Sequence, residues 1–301
     1  MSSTDLNSKV EKTYPTKQNF SGLSYQESQS KDNTSNRTDL KFIVQEKYSQ
    51  IARANEGTST GCCGDTGCCG ELEISMIGDE YTAVEGHFKE ADLGLGCGIP
   101  TQFANLQTGQ SVLDLGSGAG NDCFVARKIV GESGTVTGLD FTPAMVEKAM
   151  ANNRKLGYTN VQFVQGDIES MPFEGNEFDV LLSNCVLNLV PDKQKAFAEM
   201  YRVLRRGGHF CISDVVTAGQ LPEGLKNDAT MYAGCVSGAL DREEYLAIVR
   251  KAGFTNISIH KEKAIQIPEN VLQNYLSEEE AQAYGSNGTG IFSITLSATK
   301  Q

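Results

Sequence analysis

The chain has 301 residues, of which 39% are hydrophobic, so it is long enough to bury one large core and to carry extensions. Its 38 acidic side chains outnumber the 26 basic ones and give a formal net charge of -12, which disfavours nucleic acid and anionic membrane surfaces as partners. The sequence contains no run of about 18 apolar residues and no signal-peptide pattern, so we expect a cytoplasmic protein.

The first forty residues differ in composition from the segment that follows. Residues 1–40 are polar and bury too little apolar surface to offset the entropy of ordering, so we expect a disordered tail. Residues 41–54 have apolar side chains at helical spacing, which predicts an amphipathic helix. These side chains are Phe42, Val44, Tyr48, Ile51 and Ala52.

A glycine-rich segment, GCCGDTGCCG at 61–70, carries four of the nine cysteines: Cys62, Cys63, Cys68 and Cys69. Its glycines permit unusual backbone angles and predict a loop, and its cysteine spacing is a poor match to a structural zinc site. In a reducing compartment such a cluster indicates either a redox-exposed segment or a thiolate loop for a soft ion. Another cysteine, Cys97, stands between glycines in a second turn, and residues 41–100 form the N-terminal part.

From residue 111 onward, apolar segments alternate with segments of helical periodicity. This alternation predicts an α/β fold with a parallel sheet that is covered by helices on both faces. The strands are predicted at 111–115, 135–139, 161–165, 178–184, 208–213, 256–261 and 290–298, with the last two as an antiparallel edge. The helices are predicted near 121–130, 143–157, 191–205, 241–252 and 269–284. We expect the core domain at 101–220, and a substrate-binding connection with the C-terminal strands at 221–301.

The first predicted strand ends in a glycine turn, SVLDLGSGAG at 111–120. Such a turn opens the N-terminus of the next helix to a ligand. The dinucleotide fingerprint would place its third glycine where Asn121 stands, which argues against NAD. Asp140, at the end of the second strand, is suited to bind ribose hydroxyls. The pattern therefore indicates a nucleoside cofactor without a pyrophosphate, with a simple packing turn as the alternative.

This turn, GLDFTPAM at 138–145 and QGDIESMPF at 165–173 resemble, in this order, the motifs of class I S-adenosylmethionine-dependent methyltransferases. The resemblance implies a Rossmann-like fold with a seven-stranded, mostly parallel sheet. It implies that S-adenosylmethionine is the cofactor, with its ribose on Asp140, its adenine beside Met145, Asp167 and Ile168, and its methionine moiety near Asp114 and the turn. The implied cofactor-binding residues are Asp114, Gly116, Gly118, Gly120, Asp140, Met145, Asp167 and Ile168.

Two further cysteines follow predicted parallel strands, at the sheet edge where α/β proteins bind ligands. FDVLLSNCVLNLVPD places Asn184 and Cys185 at the end of the fourth strand, and MYAGCVSGAL places Cys235 after the fifth. We assign Asn184 to the cofactor site. Thiolates without histidine or carboxylate ligands select soft, thiophilic centres. Cys123 and Cys211 lie within a predicted helix and a predicted strand, and we expect both in the core.

The segments around these thiols resemble the arsenite S-adenosylmethionine methyltransferases. The matching segments are SNCVLNLVPDK, YAGCVSGAL, the GCG turn at 96–98 and the CCG-containing loop, and the resemblance runs from residue 41 to the C-terminus. It implies that Cys97, Cys185 and Cys235 bind trivalent arsenic, and that one loop cysteine is a further redox-active thiol. It implies methylation of arsenite and methylarsenite in detoxification, with thioredoxin or glutathione as the thiol reductant.

Three other functions stay open on the residues alone. A methyltransferase for a quinone or phenol would use the cysteines only as core residues. A thiol-rich metalloid-binding protein would keep the fold without turnover. Zinc binding by the cysteine loop is the third alternative.

Overall fold

The structure, a computed structural model, describes residues 33–54, 81–219, 238–265, 276–277, 279 and 290–301. Within these residues the strands are β1 (Ser111–Leu115), β2 (Thr135–Asp140), β3 (Val161–Gln165), β4 (Phe178–Asn184), β5 (Leu204–Ala218), β6 (Thr255–Ile265) and β7 (Gly290–Thr299). The α-helices are α1 (Asn33–Ala54), α2 (Asn121–Val130), α3 (Pro143–Leu156), α4 (Lys193–Val203) and α5 (Arg242–Lys251). Short 3₁₀ helices cover Pro100–Gln102 and Leu187–Leu189.

All seven strands belong to one sheet, in the order β3-β2-β1-β4-β5-β7-β6. Strands β1 to β5 pair in parallel, and β7 is inserted between β5 and β6, antiparallel to both. The predicted α/β architecture, with seven strands and an antiparallel C-terminal edge, is therefore confirmed. No helix among the described residues is long and apolar enough to cross a lipid bilayer.

Alternate residues along the central strands pack into different hydrophobic clusters. On β5, Phe210 and Ile212 belong to a cluster with Phe197 of α4 and Tyr245 of α5. Cys211, between them, packs with Phe124 of α2 in a second cluster. Side chains that alternate along a strand point to opposite faces, so both faces of the sheet are covered. The expectation that Cys123 and Cys211 are core residues is confirmed, because both are fully buried in the second cluster.

The first helix differs from its prediction in length and in the residues that form its packed face. It begins at Asn33 rather than at residue 41, so the last part of the predicted tail, residues 33–40, is helical. A count of apolar residues detects only the portion of a helix that packs, whereas polar residues also form helix. Val44 and Ala52 are buried as predicted, but Phe42 is 65% exposed, so the packed face does not include it.

Strands β5 and β6 extend beyond their predicted ends. β5 was predicted at 208–213 but spans Leu204–Ala218, because it pairs with β4 on one edge and along its whole second half with β7 on the other. Its ladder partners lie far away in sequence and leave no local signal. The predicted helix at 269–284 lies almost entirely outside the described residues.

Lys300, which follows β7, anchors the junction of α4 and β5. Its ammonium donates hydrogen bonds to the carbonyl oxygens of Tyr201 and Leu204, at 2.6 and 2.7 Å, and to Oδ1 of Asn176 at 2.9 Å. The Tyr201 carbonyl lies in the last turn of α4 and the Leu204 carbonyl directly follows the helix, where the carbonyls have no backbone donors within the helix. The side chain therefore satisfies backbone groups that burial would otherwise leave unpaired.

We expect Lys300→Met to lower the free energy of unfolding by about 2–3 kcal/mol, since it leaves buried acceptors without a donor. Urea denaturation monitored by circular dichroism would measure the change. Lys263→Met, at an exposed position of β6, is the matched control and should change the free energy by less than about 0.5 kcal/mol. Equal effects of the two substitutions would contradict the anchoring role.

Candidate functional site

A cleft opens where the sheet order reverses, at the carboxyl ends of β1 and β4. Leu115 of β1 pairs with Ser183 of β4, so the glycine turn and Asn184 leave the sheet side by side. Strand β1 leads on to β2 and β3 on one side, while β4 lies on its other side. Open α/β sheets bind ligands at such a reversal. The cleft holds about 1110 Å³ of empty space, including the part open to solvent, which is enough for a nucleoside-sized ligand.

Eight of the nine predicted cofactor residues line this cleft. They are Asp114, Gly116, Gly118, Asp140, Met145, Asp167, Ile168 and Asn184. The prediction differs at Gly120, which does not line the cleft that the described residues form. Gly120 has a φ of +99°, and a Cβ there would lie 2.8 Å from the ring of Phe163 and 3.0 Å from that of Phe124. Close packing of α2 on the sheet therefore requires a glycine at this position, and its contact with a cofactor stays a prediction.

Asp140 ties the glycine turn to the start of α3. Its Oδ2 accepts a hydrogen bond from the N–H of Gly118 at 3.0 Å, and its Oδ1 accepts one from the N–H of Thr142 at 2.8 Å. Burial raises the pKa of this carboxyl, and the two backbone donors limit that rise. Asp140 thus reaches the cleft with its orientation already set by the backbone.

Two buried carboxylates, Asp114 and Asp122, line the cleft. Burial, followed by repulsion from Asp122, raises the pKa of Asp114, while a hydrogen bond from the Cys123 thiol at 3.3 Å opposes the rise. Burial raises the pKa of Asp122 to about 6, against hydrogen bonds from Tyr81 and Asn184. Two buried carboxylates side by side favour a cation in the cleft, because a cation relieves their repulsion.

The charged residues that line the cleft are predominantly acidic. Its acidic residues are Asp92, Asp114, Asp122, Asp140 and Asp167, and Lys41 is the one lysine or arginine among the described lining residues. The Lys41 ammonium is already paired, at 2.5 Å from Asp167 and 2.6 Å from Glu169. In addition, the buried Ser117 Oγ has no hydrogen-bond partner among the described residues. The lining therefore suits a cationic ligand that also carries hydrogen-bonding groups.

Helix α1 lines one side of the cleft, and Lys41 attaches it there. Lys41, Val44 and Tyr48 of this helix line the cleft. Burial lowers the pKa of Lys41, but its hydrogen bonds and charge contacts with Asp167 and Glu169 outweigh that effect and raise it overall. The N-terminal helix is therefore attached electrostatically to the segment between β3 and β4.

Two of the predicted arsenic-binding cysteines, Cys97 and Cys185, lie at the same edge of the sheet. Cys185 follows β4, lines the cleft and is 6% exposed, while Cys97 is 2% exposed. Asn184, the neighbour of Cys185, accepts a hydrogen bond from the Cys97 N–H at 3.0 Å. The structure thus joins, through one side chain, two cysteines that are distant in sequence.

The backbone around both cysteines is held from several directions. The Cys185 N–H donates to the Ser213 carbonyl at 2.8 Å, and Cys185 has a φ of +58°, which is costly for a residue with a side chain. The Ser293 hydroxyl donates to the Cys97 carbonyl at 2.6 Å. Backbone strain of this kind persists only where the surroundings enforce it, and it is typical of functional sites.

Side chains of the sheet lie very close to the two glycines beside Cys97. A Cβ at Gly96 would lie 2.6 Å from Nδ2 of Asn184, and one at Gly98 would lie 2.6 Å from Oγ of Ser213. The GCG turn can therefore pack against the end of β4 and the adjacent part of β5 only because glycines flank the cysteine.

The remaining predicted thiols lie outside the described residues. They are Cys235 and the loop cysteines Cys62, Cys63, Cys68 and Cys69. Among the described residues, no three histidine, cysteine or acidic side chains form a metal-binding group. Two of the expected arsenic ligands are therefore placed at one edge, and the roles of all of them stay predictions.

Sequence reasoning missed several residues of the cleft. Tyr81 donates a hydrogen bond to Asp122 at 2.7 Å, and burial raises its pKa well above the usual value for tyrosine, so it remains a donor. Asp122 follows the glycine turn directly, and a carboxylate in the first turn of a helix was a usable signal. Tyr81 and Lys41 offered none, because their partners are remote in sequence.

Comparison with known proteins places the chain in a family. A family profile described as a methyltransferase domain matches residues 106–253. An arsenite methyltransferase of Halobacterium salinarum is 37% identical over 86% of this chain and 66% of its own length, and one of Aquipseudomonas alcaligenes is 32% identical over 78% and 68%. The crystal structure of an arsenic(III) S-adenosylmethionine methyltransferase from Chlamydomonas reinhardtii shares 37% identity, with a TM-score of 0.58, over 74% of this chain and 71% of that one.

The chain belongs to the arsenite methyltransferase family. The resemblance that the cysteine segments suggested is thereby confirmed. The chain spans about two thirds of the length of the two curated family members above.

We expect Lys41→Met to loosen α1, because the substitution removes both ion pairs that attach the helix to the segment after β3. These pairs are partly exposed, so the expected effect is an about two- to fivefold faster amide exchange in residues 41–54. Hydrogen–deuterium exchange with mass spectrometry would measure it. Lys47→Met removes the same charge from the same helix and leaves the Lys41 pairs in place. If both variants exchange alike, the attachment is not electrostatic.

Proposed function

We propose that this protein transfers a methyl group from S-adenosylmethionine to trivalent arsenic bound by its cysteine thiolates. The observation that carries the proposal is the joining of two sites at one sheet edge. Asn184 contacts Asp122 in the acidic cleft and also holds the turn of Cys97, while its neighbour Cys185 lines the cleft itself. A soft-centre site beside a cation-binding site is the arrangement that this reaction needs.

The acidic cleft fits S-adenosylmethionine, whose sulfonium is a cation. Asp140 is oriented to accept the ribose hydroxyls, and Met145, Asp167 and Ile168 would flank the adenine. The methionine moiety would lie near Asp114 and the turn formed by Gly116 and Gly118. When it is bound, S-adenosylmethionine supplies a methyl group that its positive sulfur activates for transfer. The repulsion between the buried carboxylates is relieved by the positive charge of the bound cofactor.

Arsenite is the substrate that the thiols favour. Trivalent arsenic is soft and three-coordinate, and it keeps a lone pair when three thiolates bind it, so Cys97, Cys185 and Cys235 would satisfy its bonds and leave that lone pair as the nucleophile. No general base is required, since arsenic carries no proton. The chain contributes by holding the arsenic beside the cleft, and positioning of this kind is worth roughly 7–11 kcal/mol of a reaction barrier.

The reaction cycle needs a source of two electrons, which further thiols can supply. Methylation leaves arsenic formally oxidised by two electrons, and two cysteine thiols can return them by forming one disulfide with release of two protons. One of Cys62, Cys63, Cys68 and Cys69 would belong to that pair. An external dithiol or glutathione would then reduce the disulfide by exchange, which we propose as the role of a thioredoxin or glutathione system in detoxification.

Incubation of the full chain with arsenite, S-adenosylmethionine and a dithiol reductant should produce methylated arsenic, as determined by arsenic speciation. Cys185→Ser should lower this production by at least about a hundredfold, because an alcohol is a poor ligand for a soft centre. Its affinity for S-adenosylmethionine, measured by calorimetry, should remain unchanged.

Cys211→Ser is the matched control, since Cys211 is buried in the core and away from the cleft lining. Cys211→Ser should lower the free energy of unfolding, whereas it should lower the production of methylated arsenic far less than Cys185→Ser does. Normal turnover by the Cys185→Ser protein would refute the thiol site. An absence of methylated arsenic from the unaltered protein would instead leave a quinone or phenol as the candidate substrate.

The pKa of Asp122 provides a test of the cofactor's charge. Because burial raises this pKa to about 6, Asp122 loses its proton as the pH rises from 5 to 7. The affinity for cationic S-adenosylmethionine should then rise by about three- to tenfold relative to that for S-adenosylhomocysteine, which has a neutral sulfur. Calorimetric titration with both ligands would give this ratio.

Asp122→Asn is the control for this titration, since its amide is neutral throughout the range. The affinity ratio in that variant should change less between pH 5 and 7 than in the unaltered protein, because only the other carboxyls of the cleft can still titrate. A ratio in the unaltered protein that falls as the pH rises would have the wrong sign for an ionised Asp122 near the sulfonium.

A further inference from the structure

Asn184 makes more hydrogen-bonding contacts than an exposed strand end requires. Its Oδ1 accepts from the N–H of Cys97 at 3.0 Å and from the N–H of Gly98 at 3.4 Å. Its Nδ2 faces the Gly98 carbonyl and the Tyr81 hydroxyl, each at 2.8 Å, and Oδ2 of Asp122 at 3.1 Å. One amide thus connects the cysteine turn, the first turn of α2 and Tyr81.

These contacts exhaust the amide. A carboxamide oxygen accepts at two lone pairs, and its nitrogen carries two hydrogens. In Asn184 the oxygen has two protein donors and the nitrogen has three protein acceptors for its two hydrogens. No hydrogen-bonding capacity remains for a cofactor, although the side chain lines the cleft. The saturated Asn184 amide is therefore unsuited to the role in cofactor binding that the sequence suggested.

The partners of Asn184 are themselves fixed. Tyr81 is 6% exposed and donates to Asp122 at 2.7 Å, so Asp122 receives hydrogen bonds on both of its oxygens. The Tyr81 hydroxyl also lies 3.2 Å from the Gly98 carbonyl. The turn that carries Cys97 is therefore attached to a buried network, and a shift of Asn184 would move Cys97 relative to Cys185.

We propose that Asn184 is a positioning residue: it holds the Cys97 turn against the end of β4, so that Cys97 stays at a set distance from Cys185, which lines the cofactor cleft. This role rests on the proposed function for the use of the two thiols. It acts through the cysteines and requires no contact of Asn184 with arsenic or with the cofactor.

The primary test uses the reduced full chain without any ligand. Cys97 is 2% exposed, so it should react with iodoacetamide slowly, and Asn184→Ala should speed its alkylation by about tenfold, the effect of losing one or two hydrogen bonds. Mass spectrometry would follow each cysteine separately. Buried Cys123 is the internal reference, and its rate should not change unless the whole protein unfolds.

Two binding titrations then separate positioning from cofactor contact. In the Asn184→Ala protein the dissociation constant for arsenite should rise by about tenfold or more, and that for S-adenosylmethionine by less than about threefold. The KM for S-adenosylmethionine should stay near its original value while kcat falls. A larger loss of affinity for S-adenosylmethionine than for arsenite would overturn the proposal and make Asn184 a cofactor contact.

Two further variants keep the test decisive. Tyr81→Phe preserves the ring and removes only the hydroxyl beside Asn184 and Gly98, so it should speed the alkylation of Cys97 by about threefold even if Asn184→Ala does not fold. Asn153→Ala is the matched control, because the Asn153 amide donates to the carbonyls of Tyr158 and Val161 at the opposite ends of the strands. It should leave the ratio of the Cys97 and Cys123 rates unchanged.

An unchanged alkylation rate of Cys97 in both Asn184→Ala and Tyr81→Phe would also overturn the proposal. The failure of the proposed function itself would look different. If the unaltered protein binds no arsenite, arsenic methylation is wrong, while the alkylation rates, which involve neither arsenic nor cofactor, still decide whether Asn184 positions the Cys97 turn.

Discussion

The parallel pairing of β1 with β4 is the constraint on which the site depends. It brings together, at one edge of the sheet, a turn that begins at Gly116 and a strand end that carries Asn184 and Cys185. Neither segment forms a site alone, because the turn has no thiol and the strand end has no place for a nucleoside. Chain order places these strands far apart, and the two hydrophobic clusters on the faces of the sheet hold them in register.

The acidic cleft and the cysteine side at this edge depend on different interactions. The cleft concentrates aspartates whose pKa values are raised by burial and, to a smaller extent, by neighbouring carboxylates, which favours a cationic occupant. The cysteine side is held by neutral backbone contacts, to Asn184, Ser213 and Ser293. In the proposed function, a soft centre would need thiolates at set positions rather than a strong field, which fits the different contacts of the two halves.

The backbone of Cys185 is strained, and neighbouring hydrogen bonds maintain that strain. A φ of +58° is unfavourable for a cysteine, and it is maintained by the hydrogen bond from its N–H to Ser213 and by the contacts of the preceding Asn184. Strain of this kind costs of order 1–3 kcal/mol and persists where neighbouring groups enforce it. The strained residue is thus the cysteine that lines the cleft.

The sequence by itself determined the α/β class, the strands of the core, the glycine turn and the residues of the cleft that follow strands, because periodicity, glycine spacing and strand ends are local signals. It did not reveal Tyr81, Lys41 or the network of Asn184, since those contacts join segments remote in sequence. Gly120 and Asn184 show the limit best: each occurs in a motif that suggested a ligand contact. Only the tertiary structure decided that packing requires the glycine and that protein partners saturate the amide, because both facts depend on which side chains lie against them.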